Sequence, residues 1–131
     1  MKKTLIYPAG FPAPRGNYSP GLLVENGGVS TLYITGQLAV DADGEVVAPY
    51  EAAEQTEFVF KLIGQILEAA GMGFADVVKV DTFLTNMTDF EEFTPIRNRY
   101  FADTRPVSTL LEVKGLARVG CCVEIEVLAI K

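Results

Sequence analysis

Hydrophobic and polar residues follow two different periods along this chain, and each period predicts one kind of element. The clearest helix covers residues 51–70, where Val59, Ile63 and Ile66 recur at helical spacing and charged residues occupy the opposite face. Gly71 follows at the position expected for a C-terminal helix cap. Runs rich in Leu, Val, Ile, Tyr and Thr predict strands at 21–26, 31–40, 76–86, 106–114 and 121–130.

A second helix is predicted after residues 76–86. Thr88 and Glu91 have the spacing of a capping box. Pro95 would disturb the interior of a helix, because its ring clashes with the preceding turn. The pattern therefore predicts a short turn through residues 89–93, and then a helix with Thr94 as its cap and Pro95 at its first position.

With one strand counted in addition to these five runs, the predicted order is three strands, a helix, a strand, a helix and two strands. Two helices can cover only one face of a sheet of about six strands. Residues 31–40 and 123–130 do not alternate cleanly, so these strands look apolar on both faces. Because a mixed sheet with an uncovered apolar face is usually hidden by self-association, the pattern predicts a homo-oligomer.

Composition limits the classes of protein that fit. With 131 residues, of which 49% are hydrophobic, the chain is expected to form one ordered domain over residues 1–131. The net charge of −6 argues against binding to nucleic acid, since an acidic surface repels phosphates. No apolar run is long enough to span a bilayer, and the first ten residues do not resemble a signal peptide, so we expect a cytoplasmic protein without a membrane partner.

The chain has no histidine, which excludes histidine-based triads and histidine-ligated metals. Its two cysteines, Cys121 and Cys122, are neighbours, and a bridge between adjacent strand residues would be strained. We interpret both as small core residues in a reducing compartment. Two cysteines alone make a poor zinc site, so no metal is expected.

Five segments, in order and over nearly the whole chain, resemble the pattern of the RidA/YjgF family, formerly called the endoribonuclease L-PSP family. They are the loop 15–24 with Gly16, Tyr18 and Ser19; the strand and turn 32–47 with Gly36, Gln37 and Gly44; the run 54–90; and the closing segments 105–116 and 123–130.

This resemblance implies a chorismate-mutase-like α+β fold, with a mixed sheet of about six strands and two helices on one face. It also implies a homotrimer that binds ligands in clefts between subunits. Well-known members hydrolyse reactive imines and enamines to 2-keto acids and ammonia, without a metal or cofactor. The implied ligand is therefore a small imine, enamine or keto acid.

The resemblance also assigns roles to residues, with one departure. The family places an arginine two residues after a proline, where its planar fork pairs with the substrate carboxylate. Here that proline is Pro106 and the matching position is Ser108, so the central cation is missing. Arg105 is a candidate replacement or a solvated loop residue, and a cation from a neighbouring subunit is a further alternative.

Glu124 matches the family's glutamate that positions or activates water. A partly buried carboxylate can have its pKa raised towards neutrality, and Glu126 on the same strand face would add to that effect. The alternative is that both are surface carboxylates in ordinary ion pairs.

Four further residues match ligand-binding positions. Tyr18 matches a tyrosine that closes over the ligand, Gly36 and Gln37 belong to the matched strand, and Thr88 aligns with a position that is often Asn. Three of them have a structural alternative: Tyr18 as a loop anchor, Gly36 as a site of close backbone approach, and Thr88 as a helix cap. No structural alternative is assigned to Gln37.

Three functions follow. The first is a divergent imine or enamine hydrolase, a deaminase, that uses Glu124 and water. The second is a trimer that binds a small metabolite without turnover. The third, an endoribonuclease, is disfavoured by the acidic charge and the lack of histidine.

Overall fold

In the computed structural model, which describes residues 1–131, six strands form one mixed sheet and two helices pack on one of its faces. The predicted α+β architecture is confirmed. The elements are β1 (Lys2–Ile6), β2 (Gly21–Asn26), β3 (Val29–Leu38), α1 (Ala52–Ala69), β4 (Val77–Leu84), α2 (Phe90–Tyr100), β5 (Val107–Glu112) and β6 (Val123–Ile130), with single 3-10 turns at Phe74–Asp76 and Met87–Asp89.

The sheet has the strand order β1-β2-β3-β6-β4-β5, so the last strand of the chain lies in its middle. All neighbouring strands are antiparallel except β4 and β5, which are parallel and are connected through α2. Glu124 of β6 therefore lies between Leu38 of β3 and Phe83 of β4.

The core lies between the sheet and the helices. Ile34, Val80 and Val127 from three adjacent strands, and Ile63 of α1 and Phe93 of α2, are all buried in one cluster. Burying one such side chain stabilises the fold by roughly 1.5–3 kcal/mol before entropy is counted. Removing apolar surface from water is thus what holds both helices on this face.

Helix α1 confirms the prediction to within one residue at each end. Its end is a Schellman motif: the Met72 amide donates to the Leu67 carbonyl at 2.9 Å, and the Gly71 amide donates to the Glu68 carbonyl at 2.9 Å. Gly71 has a φ of +73°, a conformation that a side chain would strain.

Helix α2 differs from the prediction. It is continuous from Phe90 to Tyr100 with Pro95 inside it, so the interruption before Thr94 is wrong. Pro95 removes only the bond from its own position to the carbonyl of exposed Glu91, while buried Phe93 and Ile96 anchor the helix on both sides of it.

The predicted capping box is also wrong. Asn86, not Thr88, supplies the cap: its Oδ1 accepts from the Thr88 amide at 3.0 Å and from the Thr88 hydroxyl at 2.8 Å. The residue preceding α2, Asp89, makes no side-chain cap bond. The cap at Asn86 therefore begins the turn Met87–Asp89, and α2 begins directly after that turn.

The face of the sheet opposite the helices, the open face, mixes apolar and charged residues. Leu5 is 60% exposed, Tyr33 is 53% exposed and Val107 is 66% exposed. Near the middle of this face, Glu126 lies opposite Asp81 across the β4–β6 pair. Neither helix has the length and apolar character that crossing a membrane requires.

Candidate functional site

Glu124 and Gly36 lie against each other on the open face. A β-carbon built on Gly36 would lie 3.0 Å from the Glu124 carboxyl carbon and 3.2 Å from its Cγ. Both values are tighter than ordinary van der Waals contact, so a side chain at position 36 would displace the carboxylate. The glycine therefore makes the space that the carboxylate occupies.

A β-bulge in β3 produces this arrangement. Ile34 pairs with Val127, and Gln37 pairs with Ile125, so β3 has one more residue than β6 between these two pairs. Ile34 and Gln37 are both buried on the helix side of the sheet despite being three residues apart. The extra residue brings the Gly36 backbone towards Glu124.

The Glu124 carboxyl group is half-buried. Burial raises its pKa above the ordinary value, and the negative charge of Glu126 raises it further. No ion pair holds the carboxylate, since the two ion pairs of the chain are Lys79–Asp81 and Arg99–Glu57. The group is thus closer to exchanging protons at neutral pH than an ordinary surface carboxylate.

A cavity of about 370 Å³ has Gly36 in its wall, and we call it the Arg118 cavity. The loop 11–15, the Gly36–Leu38 segment of β3 and Arg118 form its walls, with Tyr18 at its side. Three of the residues matched to ligand positions, Tyr18, Gly36 and Gln37, are thereby brought together. The side-chain amide of Gln37 donates from Nε2 to the Thr35 carbonyl at 2.8 Å, which holds the Gln37 side chain against the bulge.

A second, larger cavity of about 880 Å³ lies over the open face. Tyr18 belongs to its wall as well, so this half-exposed ring separates two spaces. The floor includes Tyr33, Asp81 and Glu126. A ring at this boundary can contact ligands on either side.

Arg105 and Ser108 lie elsewhere, in a cavity of about 480 Å³ beside the end of α2. The Arg97 guanidinium donates from Nη1 to the Ser108 hydroxyl at 3.0 Å. Arg105 has a φ of +48°, which is an unusual backbone conformation for this residue type. A cation other than Arg105 therefore makes the direct contact with Ser108.

Within one chain, Ser108 and Glu124 face opposite sides of the sheet. Ser108 pairs with Val80, which is buried beneath the helices. Glu124 pairs with Phe83, three residues further along β4 and therefore on the other face. One ligand on a single face of the sheet therefore cannot contact both side chains of the same chain.

Thr88 is exposed and lines none of these three cavities. Its hydroxyl donates to Asn86 within the turn that precedes α2. The contact of this hydroxyl is therefore local to the turn.

Both cysteines are free and buried, which confirms the prediction of small core residues. Burial raises the pKa of Cys122 to about 11, and the charge of Asp89 adds to this. The Cys122 thiol donates to the Gln55 side-chain oxygen at 3.3 Å, and the Cys122 amide donates to the same oxygen at 2.8 Å. No group of three or more His, Cys, Asp or Glu side chains could hold a metal ion.

Sequence reasoning missed Arg118 and Arg97. Arg118 is the one positively charged residue between Lys114 and Lys131, and that isolation is a signal that could have been noticed. Arg97 lies on a helix whose other arginine, Arg99, pairs with Glu57 on the surface. Nothing in the sequence distinguishes Arg97 from Arg99.

Comparison with known proteins places this geometry in a family. A family model described as endoribonuclease L-PSP matches residues 10–131. The 2-iminobutanoate/2-iminopropanoate deaminase of Bos taurus is 34% identical over 100% of this chain and 92% of its own length.

Solved structures agree with that match. A putative endoribonuclease from Thermotoga maritima superposes with a TM-score of 0.89 at 35% identity, covering 100% of this chain and 98% of that one. A protein of the conserved Rid protein family from Yersinia pestis has a TM-score of 0.87 at 33% identity, with 98% of each chain covered. The chain belongs to the RidA/YjgF family, whose family model carries the name endoribonuclease L-PSP.

Proposed function

We propose that this protein hydrolyses small imines, or the enamines that tautomerise to them, to the corresponding carbonyl compound and ammonia. The observation that carries the proposal is the half-buried Glu124 carboxyl group, with a raised pKa and no ion-pair partner, seated over Gly36 beside a cavity. Relatives named 2-iminobutanoate/2-iminopropanoate deaminase, at 33–35% identity, support the same chemistry.

The reaction needs one group that moves protons in both directions. In our proposal the Glu124 carboxylate takes a proton from water as the water oxygen bonds to the C=N carbon, and it passes that proton to the imine nitrogen, which gives a neutral carbinolamine. Glu124 then takes the hydroxyl proton and delivers it to the amine nitrogen as the C–N bond breaks. The former hydroxyl becomes the carbonyl, ammonia leaves, and Glu124 is again a carboxylate.

The decisive experiment measures 2-oxobutanoate formation from freshly generated 2-iminobutanoate, above the spontaneous rate. We expect the wild-type protein to accelerate it and Glu124→Gln to lose at least about a hundredfold, the usual contribution of a proton-transferring group. Glu68→Gln is the matched control, because Glu68 is exposed on α1 and away from all three cavities. A wild-type protein that gives only the spontaneous rate would contradict the proposal.

A second candidate is a protein that binds a small metabolite without turnover. The serine at position 108 favours it, because a hydroxyl cannot replace the charge of an arginine fork. Tight binding of 2-oxobutanoate together with a spontaneous hydrolysis rate would establish this function instead. An endoribonuclease activity has weaker support, since the chain carries a net charge of −6.

We also infer that the protein works as a homotrimer with ligand clefts between subunits. The exposed apolar side chains of the open face support self-association, and the opposite orientations of Ser108 and Glu124 fit a site completed by a second copy. Two free, buried cysteines fit residence in the reducing cytoplasm.

Light scattering after size-exclusion chromatography tests the assembly. We expect about three times the 14.2 kDa chain mass. Tyr33→Asp should lower that mass, because it puts a charge on the open face, whereas Tyr50→Asp, outside the sheet, should not. A wild-type protein that elutes as a single chain would exclude the trimer.

A further inference from the structure

We propose that Arg118 binds the carboxylate of the ligand, and so supplies the cation that position 108 lacks. This inference rests on the proposed function, because it assigns a further ligand-binding residue to the same site.

The charge of the Arg118 cavity is the first reason. The protein carries a net charge of −6, yet the charged side chains that line this cavity are Arg15 and Arg118, with no carboxylate among the lining residues. The remaining wall is apolar or neutral. A small anion is therefore attracted to this cavity and repelled by most of the surrounding surface.

The hydrogen bonding of Arg118 is the second reason. Its Nη2 donates to the Gly44 carbonyl at 2.8 Å, which holds the half-buried side chain in place. No carboxylate lies within ion-pair distance of it. A guanidinium carries five N–H donors, so a held arginine with one neutral acceptor has donors left for a bidentate contact with a carboxylate.

The position of Arg118 relative to Glu124 is the third reason. Burial raises the pKa of the Cys121 thiol, while the charge of Arg118 lowers it and that of Glu124 raises it, so both groups act on one neighbour. Leu38, which pairs with Glu124 in the sheet, lines the cavity together with Arg118. A cavity of about 370 Å³ has room for a four-carbon acid, and its wall includes Gly36, against which the Glu124 carboxyl group lies.

The other two arginine candidates fit less well. Arg97 already donates to Asn98 and Ser108, and it lies near the C-terminal end of α2, where the helix dipole disfavours an anion. Arg105 shares that location. Neither shares a cavity with Gly36 or Gln37.

Calorimetric titration with two probes tests the proposal. The first probe is 2-oxobutanoate, and the second is its methyl ester, which has the same carbon skeleton without the charge. We expect Arg118→Gln to weaken binding of the acid by about tenfold or more, the range for a lost charge-assisted hydrogen bond, and to leave binding of the ester unchanged. Arg118→Lys keeps the charge and loses the planar fork of the guanidinium, so its affinity for the acid should lie between those of the wild type and Arg118→Gln.

The controls separate a binding role from a structural one. The bond from Arg118 to the Gly44 carbonyl is a single contact of a half-buried side chain, so Arg118→Gln should melt within a few degrees of the wild type. Arg99→Gln is the matched control, because Arg99 is exposed and lines none of the three cavities, and binding of both probes should be unchanged. Equal weakening of the acid and the ester, no weakening by Arg118→Gln, or no binding of 2-oxobutanoate by the wild type would each overturn the proposal.

Failure here can be distinguished from failure of the proposed function. Turnover of 2-iminobutanoate that depends on Glu124 and is unaffected by Arg118→Gln would keep the deaminase and reject Arg118. Arg118-dependent binding of 2-oxobutanoate without any turnover would support Arg118 and reject the deaminase.

Discussion

The carboxyl group of Glu124 occupies the space that a side chain on Gly36 would need. A β-carbon at position 36 would approach the Glu124 Cγ to 3.2 Å and its carboxyl carbon to 3.0 Å. The neighbour that would have to move is the end of a flexible side chain, not backbone. A substitution at position 36 can therefore move the Glu124 carboxylate without moving the backbone of the fold.

Gly36→Ala should therefore impair function without unfolding the protein. Gly36 does not have a positive φ, so alanine can adopt its backbone conformation. We expect a loss of stability of less than about 1 kcal/mol, and a loss of at least about tenfold in imine hydrolysis as Glu124 is displaced. Gly115→Ala is the control, because nothing lies within 4 Å of an added β-carbon there. An unchanged hydrolysis rate would show that Glu124 does not act from this position.

Glu124→Gln should stabilise the protein at neutral pH and not at acid pH. The pKa of Glu124 in the folded state is raised above 4.5, so folding favours the protonated form. That contribution is fully present below pH 4.5 and is lost as the pH rises through the raised pKa. Glutamine cannot ionise, so the variant should be more stable than the wild type at pH 8, by about 1 kcal/mol or less for a half-exposed group.

Denaturant unfolding at pH 4 and pH 8, at one protein concentration, measures this difference. Glu68→Gln, at an exposed position of α1, is the matched control for the substitution itself. A variant that is less stable than the wild type at pH 8 would mean that the ionised carboxylate is held by favourable contacts.

Gln55 joins α1 to two loops, and its removal should be costly. The buried side-chain amide donates to the carbonyls of Val47, Ala48 and Gly120 at 2.8–3.1 Å. Its oxygen accepts from the Cys122 amide at 2.8 Å. Gln55→Leu would keep the volume and leave these buried groups without partners, so we expect a loss of about 2–4 kcal/mol.

The thermal midpoint or the denaturant midpoint reports this loss. Gln65→Leu, at an exposed position of the same helix, is the control and should change stability by less than about 0.5 kcal/mol. If Gln55→Leu unfolds at the same midpoint as the wild type, the carbonyls must find other partners.

The two cysteines should resist modification in the folded protein. With the pKa of Cys122 at about 11, roughly one thiol in ten thousand is ionised at pH 7. The pKa of Cys121 is raised by burial as well. Iodoacetamide should leave both thiols unmodified over an hour under native conditions and modify both in denaturant, as mass spectrometry would show. Rapid native modification would indicate that the loop before β6 opens.

Long periodic segments of this chain could be predicted from sequence, and contacts between segments could not. Helix α1 follows from the spacing of Val59, Ile63 and Ile66, and its end follows from Gly71. Local rules failed at Pro95, where the burial of Phe93 and Ile96 offsets the loss of one helical hydrogen bond. Tertiary packing decided that case.

The candidate site shows the same division. Glu124 and Gly36 were singled out from motifs, but their contact depends on a bulge that no alternation of residues reveals. Arg118 lies in the irregular connection between β5 and β6, where no period places a side chain. Its place in the wall of a cavity became visible only once the loop 11–15 was folded against it.

The bulge in β3 ties this site to the number of residues in a strand. One residue fewer between Ile34 and Gln37 would restore regular alternation, and the segment that now faces Glu124 would shift by one position. Substitutions at Thr35 or Leu38 can change the lining while the spacing is kept. Relatives that diverge by substitution alone can therefore acquire new ligands while the backbone of the bulge is unchanged. A single deletion between Ile34 and Gln37 would remove the site at once.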